Sequence, residues 1–312
     1  MERLRALSKE AVLDGGVGAG PAHEILRKET QWMLSVTQNA LTVAVGIENW
    51  MSNLRQNLKL IPEEPDWIDT IQRCSTALCV GAGPSLTDEQ LMLLDEFKGT
   101  LFCVNKTMKR LVEFTIPDFM VLIHPTDEVL AHISDEEVKQ AMSSCSVITS
   151  TTIHPEVART IEKHAKHVYW FNASVPDMYV ENINHTLSVL TKAPVIDTLG
   201  NVGMFSCVCA HLMGANHIGL LGMEHSHALS DDWTNKQAKE YHIVFAPEDK
   251  MTFAVTPGFK TYINAFLDWY QSHKDECEVF NLSKFGILYV RRREAIEYMD
   301  LKDFIDGQYE IK

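Results

Sequence analysis

Short, continuous apolar runs separated by stretches of helical periodicity recur along most of this chain. Thr76-Ala77-Leu78-Cys79-Val80, Leu101-Phe102-Cys103-Val104, Phe119 to Ile123, Ser146 to Thr149, Val168 to Phe171, His217 to Gly222 and Glu278 to Leu282 read as strands. They run apolar without alternating with polar residues, as strands covered on both faces do. Between them, Leu91 to Phe97, Lys106 to Phe114, Glu128 to Met142, Pro155 to His167, Met204 to Met213 and Phe259 to Tyr270 carry helical spacing. This alternation predicts an α/β fold, a Rossmann-like, largely parallel sheet with helices on both faces.

Other stretches are organised differently. From His23 to about Leu58 the spacing of Ile25, Trp32, Val36, Ala40, Val43, Ile47, Trp50, Met51 and Leu54 predicts two helices, with a break near Gly46. Ahead of them, Asp14-Gly15-Gly16-Val17-Gly18-Ala19-Gly20-Pro21 follows no strand and reads as a linker. The expected division is an N-terminal linker and helical segment over 1–72 and an α/β domain over 73–312. Residues 173–197 look irregular, and Ala228 to Thr256 reads as a polar, lid-like excursion in which Trp233 and Tyr241 are available to stack on a ring.

Composition narrows the function. A net charge of −14 over 312 residues argues against a nucleic-acid-binding surface, which is built on Lys and Arg against phosphate. The seven cysteines include no C-x-x-C pair and lie mostly inside apolar runs, which points to buried thiols in a reducing compartment. With no apolar run of membrane-spanning length and charges where a signal peptide would be apolar, the expected location is the cytoplasm.

The candidate chemistry sits where the runs end. Gly81-Ala82-Gly83-Pro84-Ser85-Leu86 follows the first strand and leads into a helix start at Thr87-Asp88-Glu89-Gln90. Such a turn is suited to a nucleotide phosphate, or else is a close turn without a ligand. Asn105 ends the second strand, either facing a ligand or capping the helix that follows. Gly200, Asn201 and Gly203 open another helix and form a second candidate site for an anion or sugar. Glu224, His225 and His227 leave the strand that ends near Gly222, and this densest titratable cluster could supply a general acid or base. Their spacing suits no standard metal pair, so no metal ligand is expected among them. Arg291, Arg292 and Arg293 read as a solvated charge run.

Val80-Gly81-Ala82-Gly83-Pro84-Ser85-Leu86, Asn105, Ile116-Pro117-Asp118-Phe119, Gly200-Asn201-Val202-Gly203, the segment Gly214 to Gly222 and Phe280-Asn281-Leu282-Ser283 together resemble the motility-accessory-factor family. That family groups flagellin-modifying glycosyltransferase candidates with 6-hydroxymethyl-7,8-dihydropterin pyrophosphokinases. The resemblance covers residues from about 53 to 304 and extends more distantly to the CMP-sialic-acid-dependent sialyltransferases. It implies a cytoplasmic, nucleotide-binding transferase, first a CMP- or UDP-sugar glycosyltransferase acting on a glycan or protein acceptor. The alternatives are a pterin diphosphokinase using ATP and Mg²⁺, or a nucleotide-binding homologue without catalysis. No cofactor beyond the nucleotide substrate is implied for the first reading, and self-association through the N-terminal helices is expected. Two positions depart from the family pattern: His124 stands where an Asp is usual, and Gly222-Met223-Glu224 stands where Gly-x-Asp is usual. The sialyltransferase base, a His, corresponds to the region Phe253 to Pro257, which has none, so His225, His227 or His242 would have to replace it.

Overall fold

The computed structural model describes residues 46–68, 74–175, 182–228, 242–246, 249–290 and 296–309. The chain divides into two units, Met1–Val45 and Gly46–Lys312, and the described residues belong to the second. The expected helix between His23 and Gly46, the glycine-rich linker, Trp233, Tyr241 and the three arginines lie outside them.

Runs too apolar to tolerate water on either face become strands of one sheet. Strands β1 (Thr76–Val80), β2 (Thr100–Val104), β3 (Phe119–Leu122), β4 (Ser146–Ser150), β5 (His167–Ala173), β6 (Val195–Ile196), β7 (His217–Leu221) and β8 (Glu278–Asn281) form an eight-stranded sheet among the described residues. Its order is β8-β7-β1-β2-β3-β4-β5-β6, and every pairing in it is parallel. The chain builds outward from β1 to β6, then returns across the sheet to lay β7 on the open edge of β1, Thr76 opposite His217 and Val80 opposite Leu221. Beside β1 the winding reverses, and in open parallel sheets ligands bind outside the carboxyl ends of the strands at that point.

The return crossing is helix α8 (Val202–Leu212), whose sequence is apolar almost all round. It packs across β1, β2, β3 and β7, burying Met204, Phe205, Cys207, Val208, Cys209 and Ala210 in the main core. Further helices of the α/β unit among the described residues are α2 (Asp88–Leu93), α3 (Asn105–Leu111), α4 (Leu130–Ile133), α5 (Glu136–Met142), α6 (Pro155–His164), α7 (Ile183–Thr191), α9 (Pro257–His273), α10 (Gly286–Val290) and α11 (Leu301–Ile305). All seven cysteines are free thiols, and burial raises the thiol pKa of Cys79 to about 12, so these are core groups rather than nucleophiles.

Helix α1 (46–57) is anchored to the sheet by side-chain amides. Asn53 donates through Nδ2 to the carbonyls of Pro125 (2.9 Å) and Thr152 (3.0 Å). One turn on, Asn57 donates to those of Thr151 (3.0 Å) and Ile153 (2.7 Å). The spacing of four places both amides on one helix face, so α1 is tied over the turns that leave β3 and β4.

Two loop expectations are corrected. The described residues 182–197 are not irregular: they contain α7 and β6, and α7 is entered from Asn182 in the left-handed region (φ 60°) without a side-chain cap, so the usual start signal is missing. Asn184 bonds both the N–H and the carbonyl of Val175, a local clasp, and His185 is exposed. Within the expected lid over Ala228 to Thr256, the described residues form a small antiparallel sheet, His227–Ala228 and His242–Ala246 flanking Met251–Val255. Phe253, Ala254 and Val255 are buried.

Candidate active site

Where β1 and β7 end, their backbones are joined directly. Gly81 donates its N–H to Leu221 O (2.7 Å), Gly83 to Gly222 O (2.8 Å), and Thr107 closes the turn by donating its hydroxyl to Gly81 O (2.6 Å). Glycine is required here by proximity. A Cβ on Gly81 would meet Gly222 O, and one on Gly83 would enter the Glu224 carboxylate. The glycines therefore serve the close approach of two strand ends, and two of the loop amides are turned inward rather than toward a ligand. The helix that follows offers no anion seat either: Thr87 and Gln90 close its N-terminus as a capping box, and Asp88 and Glu89 occupy its first turn.

Glu224 is fixed between the two loops. Its carboxylate accepts a short hydrogen bond from the Ser85 hydroxyl, and its backbone carbonyl accepts from Ile287 N–H at 3.2 Å. It is 1% exposed, and burial raises its carboxyl pKa above the ordinary carboxylate value against the opposing effect of the Ser85 bond. Gly222, with φ 66°, donates its N–H to Ser283 Oγ (2.9 Å), which holds the turn from the other side. His225 follows at φ 48°, a left-handed conformation uncommon for a residue with a side chain. Its ring is buried, meets Phe259 edge-on at 5.7 Å, and has its pKa lowered to about 4 by desolvation. His227 stacks on Phe259 at 4.9 Å, is half-buried, and is also shifted down by desolvation.

These groups border one cleft of about 450 Å³ outside the carboxyl ends of β1, β2, β3 and β7. Of the residues singled out in the sequence, Gly81, Ala82, Gly83, Pro84, Asn105, Gly200, Asn201, Gly203, Glu224, His225 and His227 all line it. Ser85 stands behind Glu224 and lines a smaller neighbouring pocket, and Leu86 is core. Asn105 is the first residue of α3, whose N-cap is Val104 with no side-chain bond. The capping alternative is thereby removed, and Asn105 stands buried at the cleft wall. Asn201 does cap α8, its Oδ1 accepting from Gly203 N–H (2.8 Å) and Met204 N–H (3.3 Å), while a Cβ on Gly200 (φ 72°) would strike the Tyr262 ring. Those two glycines and the asparagine shape the wall through contacts within the protein.

Sequence reasoning did not single out Lys106, Glu128, His132, Phe259 and Tyr262 as site residues, yet each lines the cleft. Lys106 is legible in hindsight as the neighbour of Asn105 at a strand end. The aromatic pair is not, because on a helix Phe259 and Tyr262 look like an ordinary apolar face. His124 borders the cleft as well and exchanges a 2.8 Å hydrogen bond with Thr126. Among the described residues no three His, Cys, Asp or Glu side chains are grouped to hold a metal ion, and no helix is long and apolar enough to cross a membrane.

With this geometry in place, the family is identified by comparison. The family model for 6-hydroxymethylpterin diphosphokinase MptE-like proteins matches residues 48–228, more than half of the chain. The chain belongs to the MptE-like family. The match runs from α1 through the His225–His227 turn and so includes both joined strand ends. Among solved structures, the MAf glycosyltransferase of Magnetospirillum magneticum AMB-1 shares the fold, with a TM-score of 0.57 at 14% identity, over 83% of this chain. The chain spans 41% of that protein's length. Comparison with curated proteins gives no match. The description of the MptE-like family fits a transferase.

Proposed function

We propose that this MptE-like protein is a nucleotide-sugar glycosyltransferase using a CMP- or UDP-linked donor. The observation that carries the reading is the convergence, in one cleft at the winding reversal, of the joined glycine turns, one ammonium from Lys106, and two imidazoles shifted toward their neutral form. Asn105 and the wall formed by Gly200 to Gly203 border the donor. Lys106 meets the phosphate, where a positive charge stabilises the nucleotide as it leaves. His227 is the better placed base, because it is half-exposed and so open to an acceptor, whereas His225 is buried. In the step, His227 takes the proton of the acceptor hydroxyl. The oxygen forms the new bond to the anomeric carbon, and the bond to phosphate breaks with its electron pair left on the nucleotide.

The family's own description favours a second reading, transfer of diphosphate from ATP to a hydroxymethylpterin. That chemistry uses Mg²⁺ held by carboxylates against the triphosphate. Here the cleft carboxylates are Glu128, which follows β3, and Glu224, which follows β7 and is engaged by Ser85. β1 and β2 separate these strands in the sheet, so the two carboxylates come from distant edges of the cleft.

Steady-state assays separate the two. On the first reading, release of CMP or UDP from the sugar donor persists in EDTA, and His227→Ala lowers turnover on the order of 100-fold while nucleotide affinity changes little. Because desolvation lowers its pKa, kcat/KM should rise with pH to a half-maximum that lies below 6.5, the ordinary histidine value. AMP formation seen only with pterin and Mg²⁺ would overturn this reading in favour of the second.

A further inference from the structure

Two consecutive residues at the end of the β7 turn carry buried polar atoms with no hydrogen-bond partner among the described residues: both ring nitrogens of His225, and Ser226 Oγ. They are 8% and 4% exposed, and both border the cleft. A buried polar atom without a partner is destabilising, so three of them side by side mark a surface completed by something else. His225 adds a second anomaly, since its left-handed backbone (φ 48°) is also unfavourable for an imidazole-bearing residue. Neither cost is needed to join β1 to β7, because Gly222 and Glu224 already do so.

The chemistry of this floor differs from that of the opposite wall. A neutral imidazole offers one N–H donor and one acceptor, and the Ser226 hydroxyl offers both. The ring stays neutral at pH 7 because desolvation holds its pKa near 4. Phe259 lies edge-on to His225, and with Tyr262 it provides an aromatic side to the same space. Lys106 stands across the cleft at the start of α3, with His124 and His132 nearby on the lining.

We propose that His225 is the recognition residue of the cleft, reading with Ser226 an uncharged ring edge that carries adjacent hydrogen-bond donors and acceptors, while the ligand's phosphate lies toward Lys106. This rests on the nucleotide-transferase reading and assigns His225 to binding, leaving proton transfer to His227. The ring edge belongs either to the base of the nucleotide or to the sugar attached to it.

Calorimetric titration of the full chain tests the assignment, with CMP, UMP, ATP, ribose 5-phosphate, inorganic pyrophosphate and a CMP-sugar as probes. Two variants are chosen for the backbone. His225→Gly is at ease at positive φ and removes the imidazole, and His225→Asn tolerates the same conformation while restoring a donor and an acceptor. If the ring edge is the base, His225→Gly weakens the preferred nucleotide by roughly 10-fold or more. Ribose 5-phosphate and pyrophosphate then stay unchanged, and His225→Asn recovers most of the loss. If it is the sugar, the loss appears with the CMP-sugar and not with CMP. Lys106→Met should instead weaken every phosphate-bearing probe alike. Equal losses of all probes in His225→Gly, or no loss in any, overturn the assignment even where the wild type binds nucleotides. ATP as the preferred nucleotide, with the same His225 dependence, would remove the sugar-transfer reading and leave the recognition role standing. Absence of wild-type binding to every probe overturns both.

Discussion

Glu224 and His225 are neighbours whose burial acts on stability with opposite signs. The Glu224 carboxyl has its pKa raised in the folded chain, so above its unfolded value of about 4.5 the native state holds a proton that the unfolded state has released, and stability falls as pH rises. The His225 ring has its pKa lowered to about 4 from an unfolded value of 6.5. Its contribution is therefore complete above pH 6.5 and is lost as pH falls toward 4, a change of about 3 kcal/mol at full extent. Urea midpoints measured from pH 4.5 to 7 should show partial cancellation in the wild type. Glu224→Gln keeps the Ser85 bond without the titration, so its stability should climb more steeply over this range. A parallel profile for the two proteins would refute the assignment of the shift to Glu224. Much at this scale was legible in the chain: the glycines, Asn105 and the Glu-His-Ser-His turn all reach one cleft. Their reasons were less so, since the glycine positions are fixed by the carbonyl of Gly222 and the carboxylate of Glu224, far along the sequence.

Among the elements, α1 buries two amides, Asn53 and Asn57, alongside Leu54. Asn57 is fully buried, and its replacement by Leu would leave Thr151 O and Ile153 O without their donor. A loss of roughly 2–4 kcal/mol is expected from two orphaned buried carbonyls, whereas Gln56→Ala, exposed on the same helix, should be near neutral. Thermal melts compare them directly. Periodicity predicts this helix without indicating that its polar positions are its anchors. The same limit explains α7 and the small antiparallel sheet. The first begins after a left-handed Asn182 without a cap, and the strands of the second pair only with each other, although they carry apolar runs at Ile243-Val244-Phe245-Ala246 and Phe253-Ala254-Val255.

For the whole molecule, alternating apolar runs and helical stretches predict a parallel sheet, and that is the architecture found. Strand order is a different matter, because a run of Val, Leu and Cys does not say which neighbour it will have. Ligand clefts form where parallel strand ends gather. β7 lies beside β1 in direct pairing, and the cleft lies outside their carboxyl ends.

That pairing also gives the molecule a calendar. Five of the sheet's strands can assemble outward from β1 as the chain emerges, each against the one before, but the other flank of β1 waits for residues that are made much later. Until then a wholly apolar strand presents a free ladder edge, the type of surface that recruits other chains. A chain ended at Gly214 should accordingly aggregate on expression, whereas one ended after Asn281 retains the β7 cover and should be more soluble. Comparable solubility of the two in a sedimentation assay would show that the exposed flank is protected by some other means. The cleft is the last part of the sheet's inner half to be made, so a ribosome stalled before His217 carries a protein with most of its core and none of its recognition floor.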